Sequence, residues 1–243
     1  MEIKTDRYTL IHGDALEIMP DIRGMDLCVT DAPYLLTNGG RGGDPLYDGS
    51  RRMSGAFAPE NYNNSGHLFE GECQDWSEFT PLIFNCLRDN AHYYSMADSK
   101  NQFAMQQAAL NAGFRFHNLL YWDKVTCTPN RWYMKNAEYI GFFFKGKAFP
   151  INDCSNRQGI RLPHTDETSH PTEKPVALMQ HYIVNSSLPD EITFDPFMGT
   201  GTTGVAAIRS GRRFIGIERD KKWFDIAAER IKNAERYLSL FDE

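Results

Sequence analysis

Three short stretches of this chain carry residue types that do chemistry. In the first, Ile192-Thr-Phe-Asp195-Pro196-Phe197-Met-Gly199-Thr200-Gly201-Thr202-Thr-Gly204, an apolar run leads through an acid into a glycine-rich turn. Gly199, Gly201 and Gly204 fit the spacing G-x-G-x-x-G, in which missing side chains let the backbone approach a ligand. The next apolar run, 213–217, ends on Glu218, the layout of a nucleoside-binding βαβ unit. The spacing alone also fits a purely structural glycine turn. In the second stretch, Asp31-Ala32-Pro33-Tyr34 follows a buried-strand pattern at 25–30, so a carboxylate, a stiff turn and an aromatic ring meet at one strand end. An ordinary strand-ending turn uses the same residue types. The third, His170-Pro-Thr172-Glu-Lys174-Pro175, sets a cation at the start of a helix, where it serves as a surface charge or as an anion ligand.

Elements that can position these groups alternate along the chain. Short apolar runs at 8–11, 25–30, 92–96, 114–122, 138–144, 192–195 and 213–217 read as strands, with 114–122 and 138–144 as an antiparallel pair at a sheet edge. Helical spacing links Phe79, Ile83, Cys86 and Leu87, with Pro81 in the first turn. Asp98 or Ser99 caps a helix that stops at Gly113, and another helix runs from His170 to about Ser187. A final amphipathic helix uses Trp223, Ile226, Ala227, Ile231 and Ala234. The alternation implies an α/β fold with a doubly wound, mainly parallel sheet, in a single domain over 1–243. Polar chemistry at the carboxyl ends of parallel strands is where such sheets place their sites.

Two stretches break the rhythm. Residues 35–75 hold eight glycines, several Asn and Ser and little apolar periodicity, and read as a mobile loop that orders over substrate. Residues 145–169 lack periodicity and form the candidate target-recognition insert. The net charge of −6 argues weakly against a nucleic-acid partner, but its distribution argues for one. Between 124 and 161 seven cations face two acids, with Trp132, Tyr133 and Phe149 interleaved, which suits phosphates and exposed bases as well as it suits a solvated face. The five cysteines are widely spaced, with no metal-ligand or disulfide pattern, so no metal site is expected. With no signal-peptide core and no apolar run long enough to span a bilayer, the expected location is the cytoplasm.

Asp31-Ala-Pro-Tyr34, His170-Pro-Thr-Glu-Lys-Pro175 and Phe194-Asp-Pro-Phe-Met-Gly-Thr-Gly201 together resemble the motifs of the amino-methylating DNA methyltransferases, which make N6-methyladenine or N4-methylcytosine. Their order, tetrapeptide first and glycine motif last, resembles the permuted beta class of that family. The resemblance implies a seven-stranded sheet and S-adenosylmethionine as cofactor. It implies that Asp14 accepts from the cofactor's adenine amino group, that Thr172 and Lys174 sit at its methionine carboxylate, and that Glu218 accepts from both ribose hydroxyls. Asp195, Pro196, Phe197 and the backbone of Gly199, Thr200, Gly201 and Thr202 complete that pocket.

By the same resemblance the tetrapeptide activates the target base. An exocyclic amine is a poor nucleophile because its lone pair is delocalised into the ring. Hydrogen bonds to the Asp31 carboxylate and the Ala32 carbonyl favour a pyramidal nitrogen, Pro33 stiffens the turn, and Tyr34 stacks on a base flipped out of double-stranded DNA. The family's usual second residue is Pro; Ala32 keeps the carbonyl and loses some rigidity. Asp at the first place resembles adenine-N6 enzymes more than cytosine-N4 ones. The implied partner is double-stranded DNA with no membrane, and a homodimer is possible within the class. A cytosine-N4 enzyme, an RNA methyltransferase and an inactive nucleic-acid-binding module are the alternatives.

Overall fold

The buried runs around the three motifs become the middle of one sheet. A computed structural model describes residues 1–33, 75–128, 133–163 and 173–239. In chain order its strands and helices are β1 (Glu2–Lys4), β2 (Tyr8–His12), α1 (Ala15–Ile18), β3 (Met25–Thr30), α2 (Trp76–Cys86), β4 (Leu87–Ala97), α3 (Gln102–Asn111), β5 (Arg115–Thr128), β6 (Lys135–Phe144), β7 (Gly159–Arg161), α4 (Val176–Ser186), β8 (Ile192–Asp195), α5 (Thr202–Arg209), β9 (Arg213–Glu218) and α6 (Lys221–Ser239).

Among the described residues the sheet has the order β1-β2-β9-β8-β3-β4-β6-β5-β7. β2, β9, β8, β3 and β4 run parallel, and β6 pairs antiparallel with both β4 and β5. This is the expected doubly wound, mainly parallel sheet. Its seven longer strands are the expected number, and β1 and β7, three residues each, extend its two edges. Alternate side chains of the central strands enter two cores. Leu10, Val29, Tyr94 and Phe214 pack with α4, α5 and α6, while Cys28, Tyr93, Phe143 and Phe194 pack with α2 and α3. From β3 the chain builds outward to β4 on one side and, later, through β8 to β9 on the other. The carboxyl ends of β3 and β8 therefore flank the topological switch point.

Several boundaries differ from the sequence reading. Helix α2 starts at Trp76 because Asp75 accepts from the Ser77 N–H at 2.9 Å, so Pro81 lies inside the helix rather than in its first turn. Helix α3 starts at Gln102, after a turn in which the Asp98 carboxylate accepts from the N–H groups of Lys100 and Asn101. Its end before Gly113, at φ 104°, is as expected. Strand β7 arises inside the 145–169 stretch, where Gly159 pairs with Tyr121 of β5. The loop reading for 35–75 falls outside the described residues except for Asp75, as do 164–169 of the insert.

Candidate active site

Thr30 ends β3 and Asp195 ends β8, and one bond joins them: the Thr30 hydroxyl donates to Asp195 Oδ1 at 2.7 Å. The same oxygen accepts from the Phe197 N–H at 3.1 Å, so the acid turns the chain sharply out of β8. Burial pushes the Asp195 carboxyl up to about 6, against the hydrogen bonds that favour its ionised form. Pro196 is buried beside it, and Phe197 packs edge-on against Phe79 of α2.

The glycine turn is held from three sides. Glu218 Oε2 accepts from the Gly199 N–H at 2.9 Å, and its Oε1 accepts from the Asp220 N–H at 2.7 Å. Burial raises its pKa. Gly201, at φ 80°, caps α5, and a Cβ there would lie 2.9 Å from Ala227 Cβ. A Cβ on Gly204 would meet Ile231 and Phe214. These two glycines make room for α6 and the sheet rather than for a ligand. Gly199, at φ 51°, differs: a Cβ there would meet nothing within 4 Å, so its face is the open one. From α6, Arg230 Nη1 donates to the Thr200 carbonyl at 2.9 Å and to its hydroxyl at 3.0 Å. Its Nη2 pairs with Glu173 at 2.7 Å, a side chain 1% exposed. Thr202 donates to the same carboxylate at 3.4 Å.

Asp14 stands one strand over. Its Oδ1 caps α1 by accepting from the Leu16 N–H at 2.8 Å, and its Oδ2 lies 3.6 Å from Arg219. His12 pairs with Glu218 across β2 and β9, which sets the two acids side by side at the sheet's carboxyl edge.

Asp31 sits at the head of a chain of charges. Lys174 Nζ donates to Asp31 Oδ2 at 2.5 Å and lies 3.2 Å from Glu138 Oε2. Glu138 Oε1 accepts from Lys124 Nζ at 2.9 Å. The structure places the Lys174 ammonium, which the resemblance assigns to a cofactor carboxylate, against two protein carboxylates. Asp31 Oδ1 is buried and has no hydrogen-bond partner among the described residues. Burial raises the Asp31 pKa, Lys174 opposes that rise, and Glu138 adds to it. Ala32 is 2% exposed and Pro33 is half-buried. Tyr34 and Thr172 lie outside the described residues.

The structure thus brings Asp31, Ala32, Lys174, Asp195 and the glycine turn to the switch point, with Glu218 one strand beyond β8 and Asp14 two strands beyond it. Sequence reasoning missed Glu138, Glu173 and Arg230. Glu138 stands as the lone acid of β6, directly before its apolar run 139–144, and Arg230 as a cation between Ala227 and Ile231 on the buried stripe of α6. Both anomalies are visible in the sequence. Of the cations at 124–161, Lys124 serves Glu138, and Lys145 donates to the carbonyls of Phe84 and Leu87 at the end of α2. Lys147, Arg157 and Arg161 remain exposed, as do Tyr133 and Phe149. Among the described residues no His, Cys, Asp or Glu cluster could hold a metal ion, and no helix is long and apolar enough to cross a membrane.

A carboxylate at the switch point, beside a glycine turn tied to an acid on the next strand, defines an α/β enzyme site for a nucleoside-bearing cofactor. The chain belongs to the N6/N4 DNA methylase family, whose model matches residues 25–229, and is an S-adenosylmethionine-dependent DNA methyltransferase. The type II methyltransferase M2.LlaDCHI of Lactococcus lactis subsp. cremoris is 26% identical over 263 residues, covering 94% of this chain and 90% of that protein. The crystal structure of the M1.HpyAVI-SAM complex superposes with a TM-score of 0.68 at 25% identity, covering 92% of this chain and 99% of that one. The cytosine-N4-specific PvuII DNA methyltransferase gives a TM-score of 0.70 at 17% identity over 96% of this chain and 93% of that one, a likeness of fold alone.

Proposed function

We propose that this enzyme transfers the methyl group of S-adenosylmethionine to the N6 amino group of adenine in double-stranded DNA. The observation that carries the reading is Asp31 Oδ1, a buried acceptor just past the end of β3 that has no hydrogen-bond partner among the described residues. An acceptor buried without a partner is costly, and an N–H group of the target base offsets that cost. Asp at this position, rather than Ser, favours adenine by resemblance.

The residues fit the cofactor. Gly199 offers an open backbone face, and Glu218 keeps acceptor capacity for two hydroxyls, since a carboxylate has about four lone-pair sites and two carry amide bonds. In this reading Glu218 takes the ribose and Asp14 the adenine amino group, while Thr172 and Lys174 lie toward the methionine carboxylate. Asp195, Pro196, Phe197 and the turn from Gly199 to Thr202 shape the pocket between them. When bound, the cofactor supplies an electrophilic sulfonium methyl group.

The chain's own work is to hold and orient. Asp31 Oδ1 and the Ala32 carbonyl accept the two amino N–H groups and localise the nitrogen lone pair. Nitrogen forms a bond to the methyl carbon as the carbon–sulfur bond breaks, and the surplus proton leaves the nitrogen. The raised Asp31 carboxyl is a suitable first acceptor for that proton. Pro33 stiffens the turn, and Tyr34 stacks on the base once it has left the duplex. The exposed Lys147, Arg157, Arg161, Tyr133 and Phe149 supply a face for phosphates and bases. Pairing of two protomers would double that face against one duplex, and the expected location is the cytoplasm, where such DNA lies. Light scattering of the purified protein with and without duplex tests the pairing.

Nucleoside analysis of DNA from cells expressing the protein decides the base. N6-methyladenine is the expected product; N4-methylcytosine without N6-methyladenine would overturn the adenine assignment. Sequencing of modified bases in the same DNA gives the recognition site.

A further inference from the structure

Glu138 has no part in the reading above, yet it lies one residue from the reacting centre. It projects from β6 into the space between β5 and the start of α4, where its two oxygens face two different ammonium groups. Oε1 holds Lys124 of β5 at 2.9 Å and Oε2 lies 3.2 Å from Lys174. Lys174, 7% exposed, is shared in turn with Asp31 Oδ2. Burial alone would raise the Glu138 pKa, but Lys174 and Lys124 outweigh it and hold the carboxyl down at about 2. Glu138 therefore stays anionic throughout the working pH range. Asp31, the other carboxylate on Lys174, is raised. Asp195 at the end of β8 is the further acid facing Asp31. One ammonium thus bridges two carboxylates with opposite shifts.

We infer that Glu138 is a positioning residue for methyl transfer: it divides the Lys174 ammonium between two carboxylates, so that Asp31 keeps one oxygen for the amino group of the target base. This rests on the amino-methyltransferase reading of the site. Without the Glu138 charge, Asp31 would be the carboxylate left to hold the Lys174 ammonium among the described residues. A full ion pair would make Asp31 a weaker acceptor, and the ammonium would compete with the base for its oxygens. Glu138 also keeps the buried lysine compensated at the moment Asp31 takes up a proton, when an unpaired buried charge would be costly. Lys124 closes the line by fixing the far oxygen of Glu138.

The test uses the full chain and two variants, Glu138→Gln and Lys174→Met. Two readouts are followed against pH: methyl transfer to duplex DNA, and the carbon-13 carboxyl signal of Asp31, which needs no turnover. Glu138→Gln should lose on the order of 10- to 100-fold in kcat, with KM for S-adenosylmethionine little changed. Both the acid limb of its rate profile and the Asp31 midpoint should move to lower pH, because a neighbouring negative charge is gone. Lys174→Met should move the Asp31 midpoint the other way. An Asp31 midpoint in Glu138→Gln equal to that of the wild type overturns the inference, whatever the rates. If the midpoints move as expected but the wild type methylates neither adenine nor cytosine, the inferred pairing stands and the amino-methyltransferase reading falls.

Discussion

The cofactor side and the base side of this site are built to opposite rules. On the cofactor side the chain satisfies itself: Asp195 accepts from Thr30 and Phe197, Glu218 accepts from Gly199 and Asp220, and Arg230 braces both Thr200 and Glu173. On the proposed base side a buried carboxylate oxygen of Asp31 has no hydrogen-bond partner among the described residues, and its other oxygen leans on a lysine that a second acid also holds. The first region is a frame completed before any ligand arrives, which limits the ordering cost of binding. The second is a set of charges whose balance changes when a base enters. The lesson is that rigidity and reactivity sit on adjacent, paired strands, β8 and β3, whose carboxyl ends are tied by the side-chain bond between Thr30 and Asp195.

The largest effect that would break this comparison lies at Asp31. Asp31→Ala should lower the rate of methyl transfer by about 10²- to 10⁴-fold while calorimetry still shows S-adenosylmethionine binding. If cofactor binding vanished together with turnover, the two regions would not be separable. On the frame side, Arg230→Met leaves Glu173 buried beside a lost partner, and should cost about 3 kcal/mol in denaturant unfolding. The double variant Arg230→Met/Glu173→Gln should recover part of that loss, since it removes the stranded charge as well. Equal stabilities for the single and double variants would show that the pair does not brace the turn.

A smaller effect separates two glycines that look alike in the sequence. Gly201→Ala puts a Cβ 2.9 Å from Ala227 at φ 80°, and should cost about 2 kcal/mol of stability. Gly199→Ala meets open space at φ 51°, so strain of about 1 kcal/mol is its stability cost, and its main loss should be cofactor affinity by titration calorimetry. Loss of affinity at Gly201 alone would reverse the assignment of which glycine faces the ligand.

That pair shows what a linear pattern conveys. The glycine spacing and the tetrapeptide are contiguous, so both were legible as motifs, and the alternation of apolar runs and helical spacing placed them at strand ends in a doubly wound sheet. What the spacing leaves out is the neighbour each glycine faces, because Ala227 and Ile231 come from α6. The Lys174 partnership with Asp31 spans 143 residues, and no local period marks it. Glu138 entered the sequence reading only as one of two acids in a charge count, and such a count carries no depth. Strand β7 was illegible for a related reason: three residues held by pairing to β5 need no periodicity of their own. The early start of α2 was a capping event at Asp75, which lay at the end of a stretch read as loop.

The mildest prediction concerns the bond that joins the two regions. The Asp195 carboxyl stands at about 6 in the folded protein, above the ordinary 3.8, so the folded state holds that proton more tightly than the unfolded chain does. Ionised Asp195 therefore works against the fold above about pH 6, and the penalty fades as pH falls toward 4. Asn at this position keeps a carbonyl oxygen for Thr30 and Phe197 without the buried charge, and the Thr203 hydroxyl, which also hydrogen-bonds the Asp195 carboxylate, can turn to accept from the amide. Asp195→Asn should raise the thermal midpoint by roughly 2–4 °C at pH 7.5, and the gain should shrink to nothing near pH 4. A gain independent of pH would mean that packing, not charge, separates the two proteins. A loss at every pH would mean that the ionised carboxylate is what holds Thr30, and with it the strand that carries Asp31.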